Sequence, residues 1–352
     1  MTPKVKIVGT GLLGTSLGLA LARQDIKASL EDQSKSNLRL AVEYGAGEVS
    51  AEEPDLVVVC VPPDNTAQVV IEQLAKHPGA VVTDVASVKV EIANQVEKAP
   101  GSNRYLGSHP MAGREKGGPG AARADLFFAR PWVITPREGN EIQAIELVRD
   151  IAIRVGALPI QLSVERHDSA VALVSHLPQL LASALATSLI SGNEEQLALS
   201  GQGLRDTTRI ASSDPDLWLQ IISQNSTALT PLVTALRAEL ETLEAALRNL
   251  ESPGSLAAIH SLLTRGNQGI GKIPGKHGGK FAEYLGVTVM IDDSPGALAA
   301  LLTFIGEIGV NIEDFKLEHS PGAPIGLVEL QVIPMVHEQL IRELTANGWR
   351  LV

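Results

Sequence analysis

Residues 4–32 leave few architectures open. They read Lys4-Val5-Lys6-Ile7-Val8, then Gly9-Thr10-Gly11-Leu12-Leu13-Gly14, an apolar helix to Leu21, and Ala28-Ser29-Leu30-Glu31-Asp32. The order is strand, glycine turn, helix, strand, acid. Gly9 permits a tight turn, Gly11 lets the backbone approach a pyrophosphate, and Gly14 lets helix and strand pack closely. Free N–H groups at the helix start, around Leu12 and Leu13, would hold that pyrophosphate. Asp32 stands where an acid accepts hydrogen bonds from a ribose 2′-hydroxyl and repels a 2′-phosphate. The stretch predicts a dinucleotide site that takes NAD in preference to NADP, with Ser34 and Lys35 near enough to soften the preference. A glycine turn alone is common; the flanking strand, helix and acid make this one specific.

At 352 residues the chain is long enough for two or three domains, and 44% apolar content supports sizeable cores. Lys and Arg number 29 against 40 Asp and Glu, a net charge of -11, which disfavours nucleic acid and anionic membranes as partners. The single Cys60 excludes an internal disulfide, fits a reducing compartment, and reads as a buried strand residue. The N-terminus enters a strand with no signal peptide, and no apolar run looks long enough to span a bilayer, so a soluble cytoplasmic protein is expected. The eight histidines show no metal-ligand spacing, so no metal is expected.

Asp55 to Val61 is apolar on both faces, as a buried parallel strand is, and Pro62-Pro63 stop it. Val61 and Pro62, at that strand's end, complete the expected cofactor-binding set. Further strands are predicted at Ala80–Thr83, Arg104–Leu106, Trp132–Thr135 and Ala157–Gln161, with helices between them. The alternation predicts a doubly wound parallel sheet over residues 1–162, with ligands outside the strand C-terminal ends. Pro62, Ser87 and His109 should cluster there, just past strand ends. A second domain is expected over residues 163–282, helical in pattern to about Gly271 and ending in a Gly- and Lys-rich linker: one long helix over Val164–Ile190, bent at Pro178, and another from Pro215 to about Leu250. The stripe Leu229, Leu232, Val233, Leu236, Leu240, Leu243 and Leu247 suits either a core or a subunit interface. Residues 283–352 read β-α-β-β-α-β, a ferredoxin-like α+β unit.

Three further stretches carry a resemblance. They are Asp84-Val85-Ala86-Ser87-Val88-Lys89, Gly107-Ser108-His109-Pro110-Met111-Ala112-Gly113, and Asp206-Thr207-Thr208-Arg209-Ile210-Ala211. With the glycine turn and the helical half, they resemble the prephenate and arogenate dehydrogenases of tyrosine biosynthesis over roughly residues 4–272. The tail, with Asp293-Ser294-Pro295-Gly296 and Asn311, resembles an amino-acid-binding ACT domain.

The resemblance implies an oxidative decarboxylation with NAD as cofactor and prephenate as substrate. His109 matches the family's base, and its pKa class suits the task near neutral pH. Ser87 matches a serine that bonds histidine and substrate; on its own it reads as a cap for a helix opening at Val88. Arg209 matches a carboxylate-binding arginine; the bland alternative is a salt bridge to Asp206. Glu115, Arg205 and Asp206 match an ionic gate, or are plain surface pairs. Trp218 matches a pocket wall, or is core. His176 is retained where the family has a histidine pair, while Gln179 departs from the second histidine, which leaves the pyruvyl or alanyl side chain of the substrate open. Arg114 either reaches the substrate's side-chain carboxylate or is solvated. His167 and Asp168 read as an exposed or capping pair at a helix start.

For the tail the resemblance implies tyrosine as a feedback effector, bound around Asp293, Pro295, Gly296 and Asn311; the alternative is a tail that only dimerises. A homodimer through the helical domain is expected. Two other readings compete: a β-hydroxyacid or imine reductase, and an amino-acid sensor on a nucleotide-binding fold.

Overall fold

The structure is a computed structural model that describes residues 2–114, 116–274, 284–319 and 324–352. The chain separates into two compact units, Met1–Arg237 and Ala238–Val352.

The first unit is built on β1 (Val5–Val8), α1 (Leu12–Ala22), β2 (Ser29–Glu31), α2 (Lys35–Glu43), β3 (Leu56–Val59), α3 (Pro63–Lys76), β4 (Val81–Asp84), α4 (Val90–Glu97), β5 (Tyr105–Pro110), β6 (Pro131–Thr135), α5 (Ile142–Arg154) and β7 (Leu158–Gln161). The seven strands form one sheet in the order β2-β1-β3-β4-β5-β6-β7. The order reverses between β1 and β3, the place where such sheets open a ligand crevice. Leu17 and Leu21 of α1 and Val148 and Ile151 of α5 belong to one core layer. Val70 and Leu74 of α3 and Ile92 and Val96 of α4 belong to the other.

One expectation for this sheet is corrected. It is mixed, because β5 runs antiparallel to β6, with His109 opposite Val133. That pairing extends β5 through Pro110, so His109 lies within a strand and not past its end. Ser108 pins the strand on both sides. Its hydroxyl donates to the Asp84 carbonyl at 2.7 Å and accepts from Thr83 Oγ1 at 3.1 Å and Trp132 Nε1 at 3.0 Å.

Helices follow: α6 (Val164–Val171), α7 (Leu177–Ser188), α8 (Glu194–Ala198), α9 (Gln202–Thr208), α10 (Pro215–Gln224), α11 (Ser226–Arg248) and α12 (Ser255–Ile270). Between α6 and α7, Ala172–His176 form a π turn. Pro178 has no N–H to return to the preceding turn and its ring needs room there, so the wide turn takes the place of the expected bend. The run Val164–Ser191 is, against expectation, long and apolar enough by length and composition to cross a membrane. Yet its buried positions include His167, Asp168, His176 and Gln179. The helix expected from Pro215 to Leu250 is also corrected: it breaks at Asn225, which is buried. Trp218 and Ile221 of α10 pack into the core layer over α3 and α4.

In the second unit, Arg265 of α12 forks onto Glu239 of α11 at 2.6 and 2.7 Å. Then come β8 (Leu285–Asp292), α13 (Ala297–Glu307), β9 (Asp314–His319), β10 (Ile325–Val332), α14 (Pro334–Ala346) and β11 (Arg350–Leu351). The sheet order is β11-β8-β10-β9 and every pairing is antiparallel, the ferredoxin-like arrangement expected. Val289, Leu301, Val328, Leu330, Leu340 and Leu344 form its core.

Candidate active site

The glycine turn behaves as its spacing predicts. Gly9 has φ +99°, and a Cβ there would meet the Cys60 carbonyl oxygen at 2.5 Å. A Cβ on Gly14 would lie 1.9 Å from the Gly9 carbonyl oxygen. Gly11 faces open space, with nothing within 4 Å of its Cβ position, directly before the α1 N–H groups of Leu12 and Leu13. A pyrophosphate fits that opening and that end of the helix. Asp32 Oδ2 accepts from Thr10 N at 2.5 Å and from Thr10 Oγ1 at 2.8 Å, while Oδ1 accepts, among the described residues, only from Ser34 N, at 2.7 Å. Oδ1 keeps a lone pair suited to a ribose hydroxyl. The neighbouring Glu31 is answered by Lys6 at 2.7 Å and Lys76 at 2.8 Å. Burial opposes its ionisation, but the two ammonium groups prevail and hold its carboxyl down to about 2. Val61 and Pro62 follow β3, and Pro62 opens α3.

β3, β4 and β5 are adjacent and parallel, so Pro62, Ser87 and His109 lie on neighbouring strands or just beyond them. The segment after β4 is held from below. Lys89 and Asp84 form an ion pair with both side chains fully buried. Tyr105 donates to Asp84 Oδ2 at 2.8 Å, and Ala86 N donates to Oδ1 at 2.8 Å. Burial lowers the Lys89 pKa in spite of Asp84 and raises that of Tyr105. Ser87 does not cap α4, which begins only at Val90. The cap is supplied by Asp168 of α6, whose Oδ1 accepts from Lys89 N and Oδ2 from Val90 N, both at 2.8 Å. A carboxylate at that positive helix end is favourable.

His167 and Asp168, expected as an exposed or capping pair, are buried, and Asp168 caps α4 instead of its own helix. His167 Nδ1 lies 2.7 Å from Asp168 Oδ1, and His167 Nε2 lies 2.9 Å from His109 Nδ1. A carboxylate only accepts, so His167 donates from Nδ1, and with a single ring hydrogen its Nε2 is an acceptor. His109 Nδ1 must then donate, which leaves His109 Nε2 with a lone pair and no hydrogen-bond partner among the described residues. Burial, with the charges of His167, Lys89 and His176, pushes His109 well below the usual histidine range. The group is therefore a neutral base at ordinary pH.

A second branch also starts at Asp168. Asn225 Nδ2 donates to the Asp168 carbonyl at 2.9 Å and lies 3.1 Å from His176 Nδ1. The carbonyl only accepts, so Asn225 presents N–H groups, His176 Nδ1 accepts, and the His176 proton sits on Nε2. Burial lowers the pKa of His176 to about 4. Its ring meets Trp218 edge-on at 5.9 Å. Gln179 is buried one turn further along, at the start of α7. The turn Arg209–Ser212, with Arg209 at its head, packs against α7.

The remaining expected residues lie outside this cluster's hydrogen bonds. Arg114 donates to the Ala121 carbonyl at 3.0 Å. Asp206 accepts from Gln202 at 2.9 Å on the exposed side of α9, where Arg205 is also exposed. Glu115 lies outside the described residues. In the tail, Gly296 has φ +92° at the start of α13, after Asp293 and Pro295, and Asn311 donates to Glu313 at 2.9 Å. His167, Asp168 and Asn225 were missed because their partners are remote in sequence. The one local signal was the break that an asparagine can make between two helices.

Comparison with known proteins points to one family. Residues 17–160 match the family "Prephenate dehydrogenase, nucleotide-binding domain", and residues 163–260 match "Prephenate dehydrogenase, dimerization domain". The probable prephenate dehydrogenase NovF of Streptomyces niveus is 33% identical over 97% of this chain and 98% of its own length. The prephenate dehydrogenase of Aquifex aeolicus, solved with hydroxyphenyl propionate and NAD+, is 26% identical; the match covers 76% of this chain and 98% of that one, with a TM-score of 0.66. The arogenate dehydrogenase of Synechocystis is 28% identical over 76% of this chain and 98% of its own, with a TM-score of 0.62. The chain belongs to the prephenate dehydrogenase family.

Proposed function

We propose that this NAD-dependent oxidoreductase is a prephenate dehydrogenase, which converts prephenate to 4-hydroxyphenylpyruvate and CO2. The observation that carries the reading is the buried, neutral His109, whose Nε2 lone pair lies on β5, two strands along from β3 in the sheet that carries the glycine turn. Bound at the glycine turn and Asp32, NAD supplies the hydride acceptor. His109 takes the proton of the ring hydroxyl as the hydride departs, and a ring ketone forms. Loss of the ring carboxylate as CO2 leaves a phenolate, to which His109 returns the proton. Ser87 orients the hydroxyl. Arg209 binds a substrate carboxylate through its guanidinium fork. Gln179 and Arg114 meet the substrate's side-chain end, His176 and Trp218 line the pocket, and Glu115, Arg205 and Asp206 serve as its ionic gate.

Arogenate is the second reading, favoured by one observation. Gln179 is neutral and buried where a second histidine would suit a pyruvyl carboxylate. We assign residues 1–162 to the cofactor, 163–282 to substrate and homodimer contacts, and 283–352 to an ACT-type regulatory unit that takes tyrosine at Asp293, Pro295, Gly296 and Asn311. The single cysteine supports a reducing, cytoplasmic setting.

The test follows reduced cofactor by absorbance with NAD plus prephenate or arogenate. The reading expects kcat/KM for prephenate to exceed that for arogenate about tenfold or more. The reverse ratio selects the arogenate reading, and no rate with either compound overturns both. Titrating tyrosine under the same conditions checks the regulatory unit; a flat response removes it.

A further inference from the structure

The proton that His109 accepts has to be stored and then given back. In the reaction above the ring hydroxyl loses its proton before decarboxylation and the phenolate regains it afterwards, so the net reaction releases none. A positive charge on His109 itself is poorly placed during that interval. Burial opposes it most, followed by His167 and by the Lys89 ammonium from the segment before α4. No carboxylate bonds to His109 among the described residues. His167 is placed differently: its Nδ1–H rests 2.7 Å from Asp168 Oδ1.

We infer that His109 and His167 form a two-base relay, in which a proton accepted at His109 Nε2 is passed on from Nδ1 to His167 Nε2 and held there against the Asp168 carboxylate. The inference rests on the dehydrogenase reading and extends it. The substrate O–H bond breaks and its proton joins His109 Nε2. The His109 Nδ1–H bond breaks across the 2.9 Å contact, and that proton joins His167 Nε2. His109 is left neutral with its hydrogen on Nε2, and His167 becomes an imidazolium that keeps Nδ1–H on Asp168. When the phenolate forms, it takes the proton from His109 Nε2, and His167 Nε2 returns its own to His109 Nδ1. Atoms and charge are then as they began. Asp168 and His167 are positioning residues, since neither touches substrate.

Single-turnover hydride transfer in mixtures of H2O and D2O reads the number of protons in motion. The wild-type enzyme should give a bowed proton inventory. His167→Gln keeps an acceptor for His109 Nδ1–H but takes up no proton. It should give a linear inventory and a kcat lower by about 10- to 100-fold, with the Kd for NAD unchanged. A His167→Gln enzyme with wild-type kcat and a bowed inventory overturns the relay. If His167→Gln does not fold, nitrogen-15 NMR of the histidines in the wild-type protein decides the matter. Hydrogen on His109 Nδ1 and on His167 Nδ1 is expected, and hydrogen on His109 Nε2 in the resting enzyme overturns the proposal. Failure of the dehydrogenase reading is separate: it would appear as no wild-type turnover of either cyclohexadiene.

Discussion

Lys89 and Asp84 face each other with no solvent on either side chain. Burying such a pair costs desolvation on both sides, and removing one partner leaves the other charge uncompensated. Lys89→Met is expected to lower stability by about 3–5 kcal/mol. Lys89→Met with Asp84→Asn should recover part of that loss, since no lone charge stays buried. Urea unfolding midpoints of the three proteins check this, and additive losses would show that the pair is not coupled.

Asp168 closes the N-terminus of α4 from another helix. Asp168→Ala strands one buried and one part-buried N–H group and is expected to cost about 2–4 kcal/mol. Hydrogen exchange should speed selectively at the Lys89 and Val90 amides. Unchanged protection there would show that the cap does not hold the helix.

The glycines of the turn should separate folding from binding. Gly11 has room for a methyl group, so Gly11→Ala should keep the wild-type melting temperature while NAD affinity falls about tenfold or more, as the cradle fills. Gly14→Ala meets backbone at 1.9 Å and should destabilise the domain itself. Calorimetric melting and NAD titration distinguish the two.

His176 makes stability depend on pH. Its folded pKa, about 4, lies below the unfolded value of about 6.5. Between those values the unfolded chain binds more protons, so stability falls as pH drops from 6.5 towards 4 and levels off below. His176→Gln should flatten that slope, with His109 sustaining what remains. Denaturant midpoints across the window measure it.

Arg209→Gln should raise KM for the cyclohexadiene about tenfold or more while kcat stays nearly constant, as loss of uniform carboxylate binding requires. Steady-state kinetics at saturating NAD checks it. An equal KM in both proteins would retire the carboxylate role.

The nucleotide half was readable because its signals are local. Glycines at 9, 11 and 14 and an acid at 32 report on one turn and one crevice, and apolar strands report on burial by themselves. His109 was found by its neighbours in the chain, yet its place inside β5 was not, because an antiparallel partner at Val133 decides where that strand ends. His167 and Asp168 looked like an exposed helix start, since adjacent polar residues there are usually solvated or capping. Asp168 does cap, but a helix that begins 78 positions earlier. The ferredoxin-like order of the tail was legible from its alternation alone.

The π turn at Ala172–His176 has a bearing on how this helix can change. In a regular α-helix, a residue eight positions on from Asp168 would point about 80° away from it. One surplus residue in the turn brings the two to within about 20°, so a single Asn225 amide can serve both Asp168 and His176. Deleting one residue from the turn would leave a regular helix with the histidine seven positions from Asp168, again within about 20°, so its place beside that amide would be kept. The turn can therefore give up its surplus residue without swinging the histidine out of line, whereas loss of a second residue would rotate it by about 100°.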